Sequence, residues 1–339
     1  MTIIFLMLMI KLLTKSKIYI KENNQEYLSK KQTTIINSIF LILVFYSHFF
    51  SYIDEIVEID TYLRFVIRHI GQLMVTTFLF YSGYGIYESI KKNKSYKDNF
   101  FKKRFMPTFI NFIIAIVIFI ILNIFMGYKY ELNKIILSFI GWDSIGNSNW
   151  YMFAMFCEYI FIIISFKLIK KDKNQMLFIF ILTIIYIIIL SIFKERHWYD
   201  TILCFPMGMY FSYYKNKIEK YILNKKKYWL ILLTTILTFI LLYILNRYIL
   251  NEIIYNIMSI TFVFIIILFS IKIKFNSKLF EYLGKRLFWI YILQRIPMII
   301  LKDTFNYQIY FILCIMITII LSEILYRITN KLHNKLLAK

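Results

Sequence analysis

The succession of apolar runs constrains this chain more than any other feature. Ten of them, at residues 35–53, 69–90, 105–126, 149–168, 176–193, 201–214, 229–245, 254–271, 287–301 and 309–328, follow one another with only short polar breaks. A helix needs roughly 20 apolar residues to cross the hydrocarbon of a bilayer, and most of these runs meet that length. Two fall short, "TILCFPMGMYFSYY" and "LFWIYILQRIPMIIL". Each holds a proline, which predicts kinked or partly re-entrant helices there. With 60% hydrophobic residues and only 8 Gly and 3 Pro in 339, no Pro/Gly/Ser-rich linker divides the chain. The expected fold is all-α: a polytopic integral membrane protein of about 10 transmembrane helices. Residues 1–34 are read as a cytoplasmic or interfacial lead-in, residues 35–328 as one membrane domain, and residues 329–339 as a basic cytoplasmic tail. The opening "MTIIFLMLMIKLL" is too short to span and lacks the basic start and small-residue cleavage site of a signal peptide.

Charge then orients the spans. The net charge of +22 would point to nucleic acid in a soluble protein, but 32 of the 41 Lys and Arg fall in alternate loops and the terminal segments. The intervening loops, "DEIVEIDTY", "KERHWYD" and "KDTFNYQ", are acidic or mixed. Loops rich in Lys and Arg face the cytoplasm, so both termini are expected inside, and the positive charge is topogenic, with no nucleic-acid partner. Cys157, Cys204 and Cys314 sit in or beside apolar runs without CxxC spacing and read as reduced thiols.

Polar side chains inside spans are costly and mark function by default. The candidates are Asn37, Ser47, His48, Glu158, Gln294, Arg295 and Glu323. His48 lies 13 residues into the first span, about 20 Å along a helix at 1.5 Å per residue, past the midplane toward the outer face. A neutral imidazole there suits general-base or nucleophilic chemistry; the competing reading is a histidine bonded to a neighbouring helix. Arg295 needs a partner, either Glu158 or Glu323 or the phosphate or carboxylate of a ligand. Lys102, Lys103 and Arg104 begin a span on the inner side, where cations at a helix start suit a phosphate-bearing ligand and also serve as ordinary orientation signals. The four histidines and three cysteines form no HExxH or Cys/His cluster, so no metal is expected, and no GxGxxG or GxxxxGK[ST] cradle is present.

Taken together, four stretches resemble the acyltransferase 3 family of bacterial integral-membrane O-acyltransferases that modify cell-surface polysaccharides. "NSIFLILVFYSHF" is similar to the family's first helix, with His48 on its essential histidine and Asn37 where many members carry arginine. "GQLMVTTFLFYSGYGIY" matches a Gly-x-x-x-Val-x-x-Phe-x-x-x-Ser-Gly-Tyr/Phe pattern at Gly71, Val75, Phe78, Ser82, Gly83 and Tyr84. "FKKRFMPTF" keeps the Arg-x-x-Pro of a basic motif at Arg104 and Pro107, with Phe101 in place of its first arginine and Lys102 and Lys103 adjacent. "NSNWYMFAM", "LCFPMGMYFSYYKNKI" and "YLGKRLFWIYILQRIP" look like the family's Trp-containing helix start, Phe-Pro-x-Gly-Met segment and late Leu-Gly-Lys…Ile-Tyr motif, with Gln294 where the last often has histidine.

The resemblance implies a multi-pass protein of the bacterial cytoplasmic membrane, an O-acetyltransferase. It would move an acyl group, most often acetyl, from acetyl-CoA or another acyl-CoA in the cytoplasm to a hydroxyl of a cell-surface glycan or lipid-linked saccharide. On this carry-over His48 is catalytic, Lys102, Lys103, Arg104, Ser82 and Gly83 bind the donor, and Gln294, Arg295 and Trp150 are substrate-facing or structural. The alternative is a flippase or transporter for a charged glycolipid, in which His48 and Arg295 line a pathway.

Overall fold

The computed structural model describes residues 1–54 and 57–337. Glu55 and Ile56 of the acidic "DEIVEIDTY" loop, and residues 338–339 of the expected basic tail, lie outside the described residues. In chain order the helices are α1 (Thr2–Thr14), α2 (Lys30–Phe50), α3 (Glu58–Ile70), α4 (Thr76–Lys92), α5 (Met106–Phe125), α6 (Leu132–Ser138), α7 (Trp150–Leu168) and α8 (Asp172–Phe193). They continue as α9 (Cys204–Tyr213), α10 (Lys215–Ile222), α11 (Lys225–Ile249), α12 (Glu252–Lys272), α13 (Lys278–Lys285), α14 (Leu287–Leu293), α15 (Arg295–Ile300) and α16 (Tyr307–Leu337). Strands β1 (Lys17–Ile18) and β2 (Ile273–Lys274) pair antiparallel, Lys17 opposite Lys274.

Eight helical segments among the described residues are long and apolar enough to cross a membrane. The two expected spans that miss are the proline-bearing pair. α9 has ten residues, and α14 and α15 are separated at Gln294. α9 is held at both of its ends by other helices. The Leu203 N–H before α9 donates to Asn256 at the start of α12, while Ser212 near its other end donates to Glu88. Neighbouring helices supply the partners that a short or broken segment lacks, which hydrocarbon would not.

Helix starts are set locally. Ser29 caps α2 by accepting from the Gln32 N–H, and Asn224, Asn251 and Ser277 do the same for α11, α12 and α13. Once started, the apolar runs continue because a backbone in hydrocarbon must satisfy its own hydrogen bonds. α11 presents Leu230, Leu233, Leu237, Leu241 and Ile244 outward on one face, the side a bilayer would cover.

The tightest contact is between α4 and α9. A Cβ added at Gly83 would stand 2.1 Å from the Phe205 carbonyl oxygen, and one at Gly208 would stand 2.0 Å from that of Phe80. Two glycines facing opposite backbones let these helices approach as no other residue would permit.

The N-terminal segment departs from the expectation. The Met1 amine pairs with Asp60, the Tyr46 hydroxyl donates to the Met1 carbonyl at 3.2 Å, and Leu12 packs with Ile35 and Phe280. So α1 lies along α2, its first residue beside the outer half of α2 and its last turn beside the inner half. The far end of α16 is at the opposite side, where Glu323 bonds Arg286 and His333 meets Asn111. The two ends of the described chain therefore sit at opposite ends of the bundle. The sequence predicts both together on the cytoplasmic side, with residues 1–34 as a cytoplasmic or interfacial lead-in; in the fold the lead-in's first helix packs beside α2. The physical reason is that "MTIIFLMLMI" buries apolar surface against α2 despite being too short to span alone.

Candidate active site

His48 lies in the last turn of α2, half-buried, with its Nδ1 sealed from solvent and unpartnered among the described residues. Its ring stands 6.3 Å from that of Tyr291, centroid to centroid. Tyr291 is edge-on to Tyr151 at 5.3 Å. Ser82 of α4 lies against the Tyr151 hydroxyl, and Ser148 against that of Tyr291. A buried imidazole nitrogen without a protein partner is costly, and it has no protein hydrogen bond to give up when it takes a proton or an acyl group.

Arg295 opens α15, right after the break at Gln294, and its Nε is buried without a partner. It is close enough to act on His48 electrostatically. Neither carboxylate expected to pair with it does so. Glu158 is fully buried and accepts from Thr183 at 2.8 Å, while Glu323 is held by Tyr282, Arg286 and Arg327. The spacing of Glu158 on α7 points it at α8, and Glu323 lies toward the inner end of α16, so both miss α15. Gln294 donates to the Tyr291 carbonyl at 2.9 Å, leaving its own oxygen unpartnered.

Toward the inner end a cavity of about 550 Å³ opens beneath this cluster. Ser82 and Arg104 line it, together with Tyr81, Tyr84, Lys215 and Tyr27. Arg104 donates its Nε–H to the Tyr159 hydroxyl at 3.0 Å. Lys215 donates to the Tyr84 hydroxyl at 3.1 Å, and the Tyr27 hydroxyl donates to Glu219 at 2.8 Å. Burial and the adjoining Glu219 carboxylate push the Tyr27 hydroxyl well up from its ordinary range, so it stays a donor.

The basic cluster splits. Residues Phe101–Phe105 form a π-helical turn closed by the Met106 N–H on the Phe101 carbonyl, before α5 begins with Pro107 near its start. The extra residue in that turn rotates Arg104 inward and leaves Lys102 and Lys103 exposed, outside the cavity wall. Gly83 is likewise committed to the α4–α9 contact, and Gly85, with open space around it, lines the cavity instead. Trp150 sits apart, at the outer start of α7, its ring 5.9 Å from that of His197.

Sequence reasoning missed Lys215, Tyr81 and Tyr27. Lys215 stood in the quoted "YYKNKI" and Tyr81 directly before Ser82, so adjacency to recognised motifs was the available signal. Tyr27 lies in the lead-in, and only the fold brings it 192 residues across to Glu219.

Polar side chains therefore follow one another in a row, through ring contacts rather than hydrogen bonds: the inner cavity at Arg104 and Ser82, then Tyr151, Tyr291 and His48, with Arg295 near it. The sequence profile of the acyltransferase 3 family, described as an acyltransferase domain, matches residues 36–328. No curated protein and no solved structure matches the chain. The matched range takes in His48, the inner cavity's Ser82, Arg104 and Lys215, and the broken helix of Arg295, and this chain belongs to the acyltransferase 3 family as a multi-pass membrane acyltransferase.

Proposed function

We propose that the protein is an O-acetyltransferase of the bacterial cytoplasmic membrane, taking acetyl from acetyl-CoA on the inner side and delivering it to a hydroxyl of an outer glycan or lipid-linked saccharide. The observation that carries this reading is the line of polar groups from the cation-bearing inner cavity to His48. Arg104 and Lys215 suit the donor's phosphates, while Ser82, Tyr151 and Tyr291 flank the way inward along which the narrow pantetheine arm reaches the imidazole. Lys102 and Lys103 remain on the approach surface, where exposed cations attract an anion without gripping it.

In the reaction His48 removes the proton from the acceptor hydroxyl as its oxygen attacks the thioester carbonyl carbon. A tetrahedral oxyanion forms, the C–S bond breaks, and the thiolate of coenzyme A takes the proton back. Arg295 supplies positive charge to the oxyanion or thiolate in a water-poor site, where such charge counts most. A two-step route, with acetyl first on His48 and then on the hydroxyl, uses the same groups.

The test is transfer of labelled acetyl from acetyl-CoA in membranes carrying the full chain or His48→Gln, read on surface glycan. Label lost in the variant supports the reading, and trapping of acetyl on His48 selects the two-step route. Equal transfer in both would remove His48 from the chemistry. Absence of transfer with every acceptor, alongside translocation of a charged glycolipid, would favour transport.

A further inference from the structure

At the outer end, away from the cavity just described, a second and larger cavity of about 790 Å³ lies between α3 and the hairpin of α11 and α12. Arg64 and Arg68 reach it from α3 and Arg247 from the last turn of α11. No carboxylate lines it, and none of these three arginines has an ion-pair partner among the described residues. Arg196 stands next to it, 3.4 Å from Asn246 of the wall and tied to Asp200.

Three facts make this more than a charged surface. Arg64 and Arg68 are four apart on one helix, where like charges repel, and no described residue relieves them. The cations lie at the end of the bundle assigned to the outside, against the topogenic bias that concentrates Lys and Arg within. They are also all arginine in a chain of 33 lysines and eight arginines. Only arginine offers the planar fork that holds two oxygens of a phosphate at once. Phe65 and Tyr243 give the same cavity flat apolar faces, and Thr61 and Asn246 give hydrogen-bonding groups, a wall suited to sugar rings beside an anion.

The position fits delivery to His48. Gly71 of the cavity begins a 3-10 turn, Gly71–Val75, that packs against α2 on its other side and leads into α4. We propose that this cavity binds a phosphate group of the acceptor, so that the enzyme's substrate is a phosphate-bearing saccharide rather than a neutral glycan. The inference rests on the acyltransferase reading for the word acceptor, but the anion site itself does not.

The experiment uses the full chain in nanodiscs of phosphatidylcholine, with fluorescent poly(glycerol phosphate) as the anionic probe and dextran of equal size as the neutral one. The phosphate polymer is expected to bind, and to bind less as salt rises. Each of Arg64→Gln, Arg68→Gln and Arg247→Gln weakens it about tenfold, while arginine-to-lysine versions lose less. Binding of acetyl-CoA, measured in parallel, stays unchanged and certifies the fold. Equal binding of dextran, or unaltered binding of the phosphate polymer in all three variants, overturns the proposal. Repeating the titration in phosphatidylglycerol nanodiscs separates the sources of phosphate: if those lipids displace the polymer, the occupant is a lipid headgroup and the acceptor assignment fails. If the polymer binds as expected but acetyl never reaches any hydroxyl, the acyltransferase reading fails alone.

Discussion

The two ends of the bundle carry cations in different states. At the inner cavity the two half-buried cations are already engaged: Arg104 bonds Tyr159 and Lys215 bonds Tyr84, while the exposed Lys30 and Lys92 of the same wall have no side-chain partner among the described residues. At the outer cavity Arg64, Arg68 and Arg247 share the wall with no carboxylate among the described residues that line it. Engaged cations hold a cavity's shape and can exchange a neutral hydroxyl for a ligand at modest cost. Unengaged ones repel, and gain most from an anion that arrives. The inner end is therefore built to be specific for a shape, and the outer end to attract a charge. His48, its Nδ1 unpartnered among the described residues, belongs to neither set, and on the proposed reading it is where the two ligands would meet.

Variants can break this contrast in order of expected effect. Loss of the imidazole in His48→Ala should cut acetyl transfer by about 10³-fold, as removal of a general base does, with acetyl-CoA binding retained; a drop in binding instead would place His48 in the donor site. Next, Gly83→Ala or Gly208→Ala pushes a methyl into a backbone carbonyl and should destabilise the protein by about 3 kcal/mol. A thermal-unfolding scan with intact melting would show that the α4–α9 contact can open.

Arg104→Gln should raise the KM for acetyl-CoA about tenfold while leaving the phosphate-polymer affinity alone, the mirror image of the Arg64 variant. If either substitution moves both quantities, the ends are not separate sites. Lys102→Gln and Lys103→Gln, outside the inner wall, should change KM less than about threefold at physiological salt, with any effect vanishing as salt screens them.

The outer end should also respond to pH. Burial pushes the Asp200 carboxyl up to about 6, with Glu252 adding to the shift and Arg196 opposing it. Above that pH the carboxylate neutralises Arg196; below it Arg196 is uncompensated beside Asn246. In a His69→Gln background, which removes the imidazole lining the cavity, affinity for the phosphate polymer should rise a few-fold from pH 7 to 5, and Asp200→Asn should abolish the step. Because the folded carboxyl holds its proton more tightly than an unfolded one, its contribution to stability falls as pH rises from about 4 to 6. A flat affinity profile would detach Asp200 from the outer cavity.

Much of the bundle was legible before any coordinates. The long apolar runs came out as helices because hydrocarbon leaves a backbone no other choice, and the two runs too short to span, each with a proline inside it, were the ones that came out short or broken, while Pro107 sits harmlessly at the start of α5. Motif likeness singled out His48, Ser82 and Arg104, and all three lie on or beside one polar line. Less legible were distinctions between neighbours in sequence. "KKR" reads as three equivalent cations, and only the π-helical turn at Phe101–Phe105 decides that Arg104 faces the cavity and Lys102 and Lys103 do not. "SG" reads as one small-residue step, yet Ser82 lines the cavity and Gly83 is spent on α9.

By itself the sequence determined the helical class, the family and the charge asymmetry, because each follows from residue type along a line. Tertiary structure alone decided that α1 runs beside α2, that Arg295 lacks both of its expected carboxylates, and that Arg64, Arg68 and Arg247, the last of them 179 residues beyond Arg68, share one cavity. The physical reason is range: periodicity and span length report what one segment does in its solvent. Whether a charge is paired or free depends on which other segments fold against it.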